Sequence, residues 1–277
     1  LSEEAGTSMI EDLSSSGVKK INFVGGEPML HPHLEAWIVT AKSCGLTTSI
    51  VSNGTRMTED WLTKMRPHLD WLGLSIDASN DELHALMGRG LKGEIASGTS
   101  RHLERSKEVW RLAQRLGYGL KLNTVVTSVN IDDNMAKLIR SLKPHRWKIF
   151  RVLKIEGEND GKVEPLLISQ KQFKEYMDRI SLQDLEGTKI VAEDNDDMLG
   201  TYAMIDPQGM VYTNLHSRYH YSKQSVIDIG FSAAWAQVMD GFSNIRFETR
   251  GGNWDWSQNS ARGILLPVVD EICEESV

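Results

Sequence analysis

Lys20-Ile21-Asn22-Phe23-Val24-Gly25-Gly26-Glu27-Pro28 decides how the rest of the chain is read. An apolar, alternating run stops on two glycines, so a strand enters a turn where the backbone can approach a ligand with no Cβ in the way. Glu27 adds an acceptor that suits an ammonium, and Pro28 stiffens the exit. The turn is not a P-loop, because no Gly-Lys-Ser/Thr follows, and the third glycine of the dinucleotide fingerprint is missing.

Outward from this turn, short apolar strands alternate with helical patterns. Strands are expected at Lys20–Gly25, Thr47–Ser52, Trp71–Ile76, Leu120–Val126 and Arg146–Leu153, with helices near 33–44, 58–66, 79–88, 99–117 and 131–142. Leu34, Trp37, Ile38 and Ala41 make an i, i+3, i+4, i+7 stripe closed by Gly45. Such alternation predicts a parallel sheet in an α/β fold, a partial (β/α) barrel. After Gly157 the texture changes. Lys189–Val191 reads as a short strand, Tyr202–Asn214 as a hairpin turning at Asp206-Pro207-Gln208-Gly209, and a helix is expected near Ala233–Met239. The acidic run Glu193–Asp197 reads as a solvated loop. Residues 1–156 are taken as the barrel core and 157–277 as a C-terminal extension of the same domain, completing and capping the site.

The 277 residues are 40% apolar and 25% charged, ordinary for a globular protein. A formal charge of −7 argues against general nucleic-acid binding, so an anionic ligand needs a local basic pocket. No apolar run approaches the ~18–20 residues that span a bilayer. Cys44 and Cys273 are too few and too far apart for a disulfide framework or metal motif, and a cytoplasmic monomer is expected. His31-Pro32-His33 reads as a helix start, and His216 and His220 as surface residues. The opening segment reads as a helix already under way, with Leu1, Ala5, Met9, Ile10 and Leu13 on one side.

In parallel α/β folds the site lies at the carboxyl ends of the strands, here Gly25-Gly26-Glu27, Ser52-Asn53-Gly54, Ser75-Ile76-Asp77 and Asn123. Strand periodicity adds a second set. Lys20 with Asn22, Lys121 with Asn123, and Arg146 with Lys148 share faces at i and i+2, while Ile21, Leu122 and Trp147 face the helices. Three strands thus aim cations inward, where burial is expensive without partners. Asp77 is the main internal carboxylate expected, and a triphosphate would engage several cations at once. The alternative is that Lys20 and Arg146, at strand starts, simply reach solvent.

KINFVGGEP (20–28), SIVSNG (49–54), LMGRG (86–90), KLNTVV (121–126), RWKIF (146–150), IEGEN (155–159) and Arg250-Gly251-Gly252 followed by Trp254 together resemble the viperin-like enzymes of the radical S-adenosylmethionine (SAM) superfamily. The resemblance runs from about Met9 to Trp256. It implies a reduced 4Fe–4S cluster that cleaves SAM to a 5′-deoxyadenosyl radical. That radical takes hydrogen from ribose C4′ of a nucleoside triphosphate, CTP or UTP. Loss of the 3′-hydroxyl as water, with uptake of an electron and a proton from a donor, leaves an antiviral 3′-deoxy-3′,4′-didehydro nucleotide. By motif match, Gly25, Gly26, Glu27, Ser52, Asn53, Ser75 and Arg89 would hold SAM. Lys20, Asn22, Lys121, Asn123, Arg146, Lys148 and Arg250 would hold the nucleotide, and Tyr202 would stand near the ribose as the catalytic side chain.

The family's CxxxCxxC cluster motif is expected ahead of Leu1, and its C-terminal tryptophan is replaced here by Glu274-Glu275-Ser276-Val277. Arg250-Gly251-Gly252 is expected to be a lid in which Arg250 gains a partner only with nucleotide, held down by Trp254 and Trp256; the alternative is a fixed C-terminal strap that covers apolar surface. Two other readings stay open: another radical SAM nucleotide-modifying enzyme such as a cyclase, or an inactive nucleotide-binding scaffold.

Overall fold

The glycine turn ends the first of six parallel strands. In the computed structural model, which describes residues 1–215 and 217–252, β1 (Lys20–Phe23), β2 (Thr47–Ser52), β3 (Trp71–Ser75), β4 (Gly119–Val126), β5 (Arg146–Arg151) and β6 (Lys189–Glu193) lie side by side in chain order. Every neighbouring pair is parallel. β1 and β6 are the edges among the described residues, so the sheet is a partial barrel. The expectations for His216, Trp254, Trp256 and Cys273 lie outside these residues.

α1 (Glu3–Ser15) precedes β1, and α2 (Leu34–Ser43) and α3 (Glu59–Met65) follow β1 and β2. Between β3 and β4 run α4 (Asp81–Leu86), α5 (Lys92–Ala96) and α6 (His102–Arg115); α7 (Ala136–Leu142) leads to β5 and α8 (Gln170–Ser181) to β6. Side-chain oxygens of Ser2, Thr58, Asn80 and Ser169 accept amide hydrogens that open four of these helices. The core lies between sheet and helices. Trp71, Trp110 and Trp147 are buried there. The Trp110 N–H donates to the Leu142 carbonyl at 2.7 Å and the Trp147 N–H to Thr124 Oγ1 at 2.9 Å.

After α9 (Asn195–Met198), the strands β7 (Met204–Ile205), β8 (Met210–Leu215) and β9 (Arg218–Ser225) form a separate antiparallel sheet. The turn falls at the expected place, with the Gly209 amide bonded to the Asp206 carbonyl at 2.9 Å. α10 (Val226–Ile229), α11 (Phe231–Ala236) and α12 (Asn244–Thr249) follow. This region is tied to α1. The Phe231 amide donates to Asp12 Oδ2 at 2.5 Å, and the Leu1 backbone nitrogen donates to the Pro207 carbonyl at 3.0 Å. Six elements are not expected from sequence, namely α5, α8, α9, β9, α10 and α12. His220 lies on a strand, so it cannot form a helical i, i+4 pair. No helix among the described residues is long and apolar enough to cross a membrane.

Candidate functional site

At the carboxyl end of β1, Gly25 adopts φ +143°, and a Cβ on Gly25 or Gly26 would meet no atom within 4 Å. The space before the turn is open. Glu27 then cross-links strand ends. Its Oε1 accepts the Ser52 hydroxyl at 2.8 Å and the Met29 amide at 3.1 Å, and its Oε2 accepts the Asn53 amide at 2.9 Å. A carboxylate offers about four lone-pair positions, so roughly one remains. Open glycine backbone beside such a carboxylate fits the aminoacyl end of SAM. Asn53 turns its own Oδ1 back to Thr55. Ser75 lies at the end of β3, its carbonyl within 2.7 Å of His102 Nε2.

Asp77 does not meet the interior cations. It pairs with Arg89 (Nε to Oδ2, 2.5 Å) and accepts the Val125 amide at 2.8 Å, which corrects its expected role. The segment is held from below by His84, whose Nε2 accepts the amides of Asp77 and Ala78, each at 3.2 Å. A ring nitrogen that accepts two amides must be unprotonated. Burial, then neighbouring His102, brings His84 down to about 4, against the pull of Asp77 and Asp81. The unfolded chain therefore binds a proton that the folded one refuses, and stability falls as pH drops from the ordinary histidine value of 6.5 toward about 4. Thermal denaturation of His84→Gln should show this acid-side loss flattened by about 2–3 kcal/mol relative to the unmodified protein. An identical slope in both would remove His84 as the cause.

The interior cations come together. Lys121, buried in β4, reaches Ser49 Oγ at 2.6 Å and Asn22 Oδ1 at 3.1 Å, linking the centre of the sheet to β1. It passes over Gly73, where a Cβ would stand 2.9 Å from Lys121 Cε and 3.0 Å from Val51 Cγ2. Gly73→Ala should displace the lysine, costing about 1–3 kcal/mol in urea denaturation. An undiminished stability would show that the space is not needed. Arg146, also buried, donates from Nη2 to the Gly251 carbonyl at 2.7 Å. Lys148 meets Glu193 Oε1 at 2.5 Å and the Tyr202 hydroxyl at 3.1 Å. Arg250 donates to Glu193 Oε1 at 2.8 Å and to the Thr201 carbonyl at 2.7 Å, with its guanidinium 4.2 Å above the Tyr202 ring. The Tyr202 phenol donates to Glu193 Oε2.

Electrostatics report the same convergence. Burial, then Lys148, Arg146 and Arg250, brings Lys20 down to about 7. Lys121 is held well below its ordinary value by burial, then Lys20, Lys148 and Arg146. Burial likewise lowers Lys148 to about 8, with Glu193 acting against it. Burial would raise Glu193, but Lys148 and Arg250 outweigh it and hold the carboxyl below its usual value. Asn123 Oδ1 is buried with no hydrogen-bond partner among the described residues, as is Arg250 Nε.

Two expectations need correction here. Glu193 is not in a solvated loop; it ends β6, fully buried, and is the internal carboxylate expected of Asp77. Lys148 is therefore already ion-paired. Arg250 is buried against Glu193, Tyr202 and Thr201, so it has partners without nucleotide and the hinged-lid argument loses its premise. The described residues do not fit a 4Fe–4S cluster. Cys44, beside the end of α2, is their free cysteine, and no group of three or more His, Cys, Asp or Glu gathers as metal ligands among them.

An open parallel sheet with this glycine–glutamate turn defines the class, a radical SAM partial barrel. The description "Radical SAM superfamily" matches residues 1–142. Among solved structures, native anSMEcpe with bound AdoMet and Kp18Cys peptide shares the fold at TM-score 0.67 and 15% identity, covering 89% of this chain and 75% of that one. Streptococcus suis SuiB bound to S-adenosylmethionine does so at TM-score 0.63 and 12% identity, with 91% and 61% covered. Sequence relatives are more specific. The S-adenosylmethionine-dependent nucleotide dehydratase of Flammeovirga pacifica is 36% identical, over 92% of this chain and 84% of that protein. That of Lacinutrix mariniflava is 34% identical over 94% of this chain, which spans 52% of its length. The dehydratase RSAD2 of Danio rerio is 32% identical, over 89% and 68%. This chain belongs to the radical SAM superfamily and, within it, to the family of the S-adenosylmethionine-dependent nucleotide dehydratases.

Proposed function

We propose that this chain is the body of a radical SAM nucleotide dehydratase that converts a pyrimidine nucleoside triphosphate, CTP or UTP, to its antiviral 3′-deoxy-3′,4′-didehydro analogue. The observation that carries the reading is the meeting of Lys20, Lys121, Arg146, Lys148 and Arg250 in the barrel interior, joined to β1 through Asn22. Several cations on one side suit a polyanion, and the planar guanidinium groups suit phosphate oxygens in pairs. Asn123 would receive a hydroxyl of the sugar on its buried Oδ1. Tyr202, among Lys148, Arg250 and Glu193, would shield the ribose or give it hydrogen.

Gly25, Gly26, Glu27, Ser52, Asn53, Ser75 and Arg89 make up the SAM side, with Glu27 fixing the turn against β2. SAM bound there supplies the group that removes hydrogen from the substrate. The residues beyond 156 complete the site in this reading, since Glu193, Tyr202 and Arg250 all come from them. The cluster ligands are expected ahead of Leu1, an electron donor is a further partner, and the protein acts as a cytoplasmic monomer.

Anaerobic incubation of the full-length, cluster-reconstituted protein with SAM, a reductant and each of the four ribonucleoside triphosphates tests the reading. Mass spectrometry should find 5′-deoxyadenosine together with a nucleotide lighter by one water when CTP or UTP is supplied. Absence of that nucleotide with all four would overturn the dehydratase reading.

A further inference from the structure

Glu193 lies at the last position of β6 with its carboxylate fully buried, and three side chains from three other parts of the chain end on it. Lys148 comes from β5, Tyr202 from the segment before β7, and Arg250 from the end of α12. Lys148 and Arg250 share Oε1, while the phenol takes Oε2. Arg250 is fixed a second time by the Thr201 carbonyl at 2.7 Å and stacks on the Tyr202 ring. One carboxylate therefore sets where two cations and a hydroxyl stand relative to each other. A buried charge held this way is strongly disturbed when one partner is removed.

We propose that Glu193 is the positioning residue of the anion site, holding the Lys148 ammonium and the Arg250 guanidinium together and keeping the Tyr202 hydroxyl turned toward them. The inference rests on the nucleotide reading above and goes beyond it, because Glu193 was not among the residues expected to serve the site. Five charged or titratable groups besides Glu193 face Lys148 or its neighbours: Lys20 from β1, Lys121 from β4, Arg146 from β5, Arg250 after α12, and Tyr202. Among these, the cations oppose its charge. Glu193 favours it, and so keeps an ammonium available to a phosphate in an interior that otherwise expels one. With Gln at 193 the shape is kept, but Lys148 and Arg250 lose their shared counter-charge, while Arg250 keeps the Thr201 carbonyl and its contacts with the Tyr202 and Phe247 rings.

The test is calorimetric titration of the full-length protein and its Glu193→Gln and Glu193→Asp variants with ATP, GTP, CTP and UTP across a range of pH. Thermal denaturation and SAM affinity, set in this reading by the Gly25–Glu27 turn and the ends of β2 and β3, report folding. Glu164→Gln, which removes an exposed partner of Lys154, controls for loss of one negative charge. The unmodified protein should lose affinity for its triphosphate as pH rises through about 8. In Glu193→Gln that fall should begin about one pH unit lower or more, with affinity near neutral pH weakened on the order of tenfold. Glu193→Asp should recover part of the affinity. A merely structural glutamate would change stability without moving the pH midpoint. A folded, SAM-binding Glu193→Gln variant with the unmodified pH profile overturns the proposal. If Glu193→Gln does not fold, the midpoint of Glu193→Asp must move in the same direction, or the proposal fails. Failure of the unmodified protein to bind any of the four triphosphates would instead strike the nucleotide reading itself, and this inference with it.

Discussion

Arg146→Ala should weaken triphosphate binding by about 1.5–3 kcal/mol, roughly ten- to a hundredfold, while SAM affinity stays where it was. Arg146 opens β5 in register with Lys121 of β4, so the two side chains enter the interior at the same level. It is buried, and its Nη2 holds the Gly251 carbonyl at 2.7 Å, which places the chain that follows α12. Alanine there removes a charge that cannot be lost by deprotonation at working pH, and with it a planar fork suited to two phosphate oxygens at once. Arg146→Lys should recover little, because a point charge on a flexible stem does not reproduce the fork. The measurement is calorimetric titration of the folded variants with triphosphate and, separately, with SAM. Equal triphosphate affinity in Arg146→Ala and the unmodified protein would take Arg146 out of the site.

The sheet was largely legible in the sequence because its signal is local. β1 through β5 are apolar runs bounded by glycine or polar turns, and their inward cations stand at i and i+2, a spacing that strand geometry fixes without reference to anything else. Lys121 and Arg146 accordingly lie where their positions in the strand put them. Ile21, Leu122 and Trp147 face the helices for the same reason. The strand ends were less certain, β1 stopping at Phe23 rather than Gly25 and β5 at Arg151 rather than Leu153.

β6 shows where such reading failed. Its alternation is plain only to Val191, and the charged residues that follow read as a loop. The pleat continues to Glu193, two positions on and therefore on the same face as Val191. A glutamate followed by four more polar residues looks solvated by composition. Its burial depends on Lys148, Tyr202 and Arg250, which are far away in sequence, so no local pattern could announce it. α8 was a different kind of omission. Phe173, Tyr176, Met177 and Ile180 carry the helical stripe, and Ser169 with Gln172 forms a capping box. The signal lies after Gly157, masked by the acidic, loop-like stretch before it. Asp77 illustrates a third limit. Sequence identified a carboxylate at a strand end but not the cation it would choose, and Arg89, only twelve residues along, takes it in place of the interior lysines.

Raising the pH from 7 toward 9 should strengthen the fold and weaken nucleotide binding at the same time. Lys20 is brought to about 7 and Lys148 to about 8 in the folded protein, both below the ordinary lysine value of 10.5. The cause is the same in each. Burial strips the ammonium of water, and neighbouring cations repel it, Arg146 and Arg250 for both. Between these lowered values and 10.5, the unfolded chain carries protons that the folded chain has released, so stability increases with pH, at about 1.4 kcal/mol per unit for each such lysine. Below about 7 both states are protonated and this contribution no longer varies. Binding runs the other way. A triphosphate favours the charged ammonium, so above about 7 each lysine that has released its proton must take one up again as the nucleotide enters. Affinity is then full on the acid side and falls as pH rises through 7 and 8, by up to roughly tenfold per pH unit for each proton taken up. Lys121, held lower still and already bonded to Ser49 and Asn22, would add to the uptake if the nucleotide recharges it. Two measurements decide the matter. Urea denaturation across this range should give stability climbing with pH, and calorimetry in buffers of different ionisation enthalpy should give a proton uptake near one or more per nucleotide bound. Nucleotide binding without proton uptake, or with affinity that climbs alongside stability, would show that these lysines do not face the phosphates.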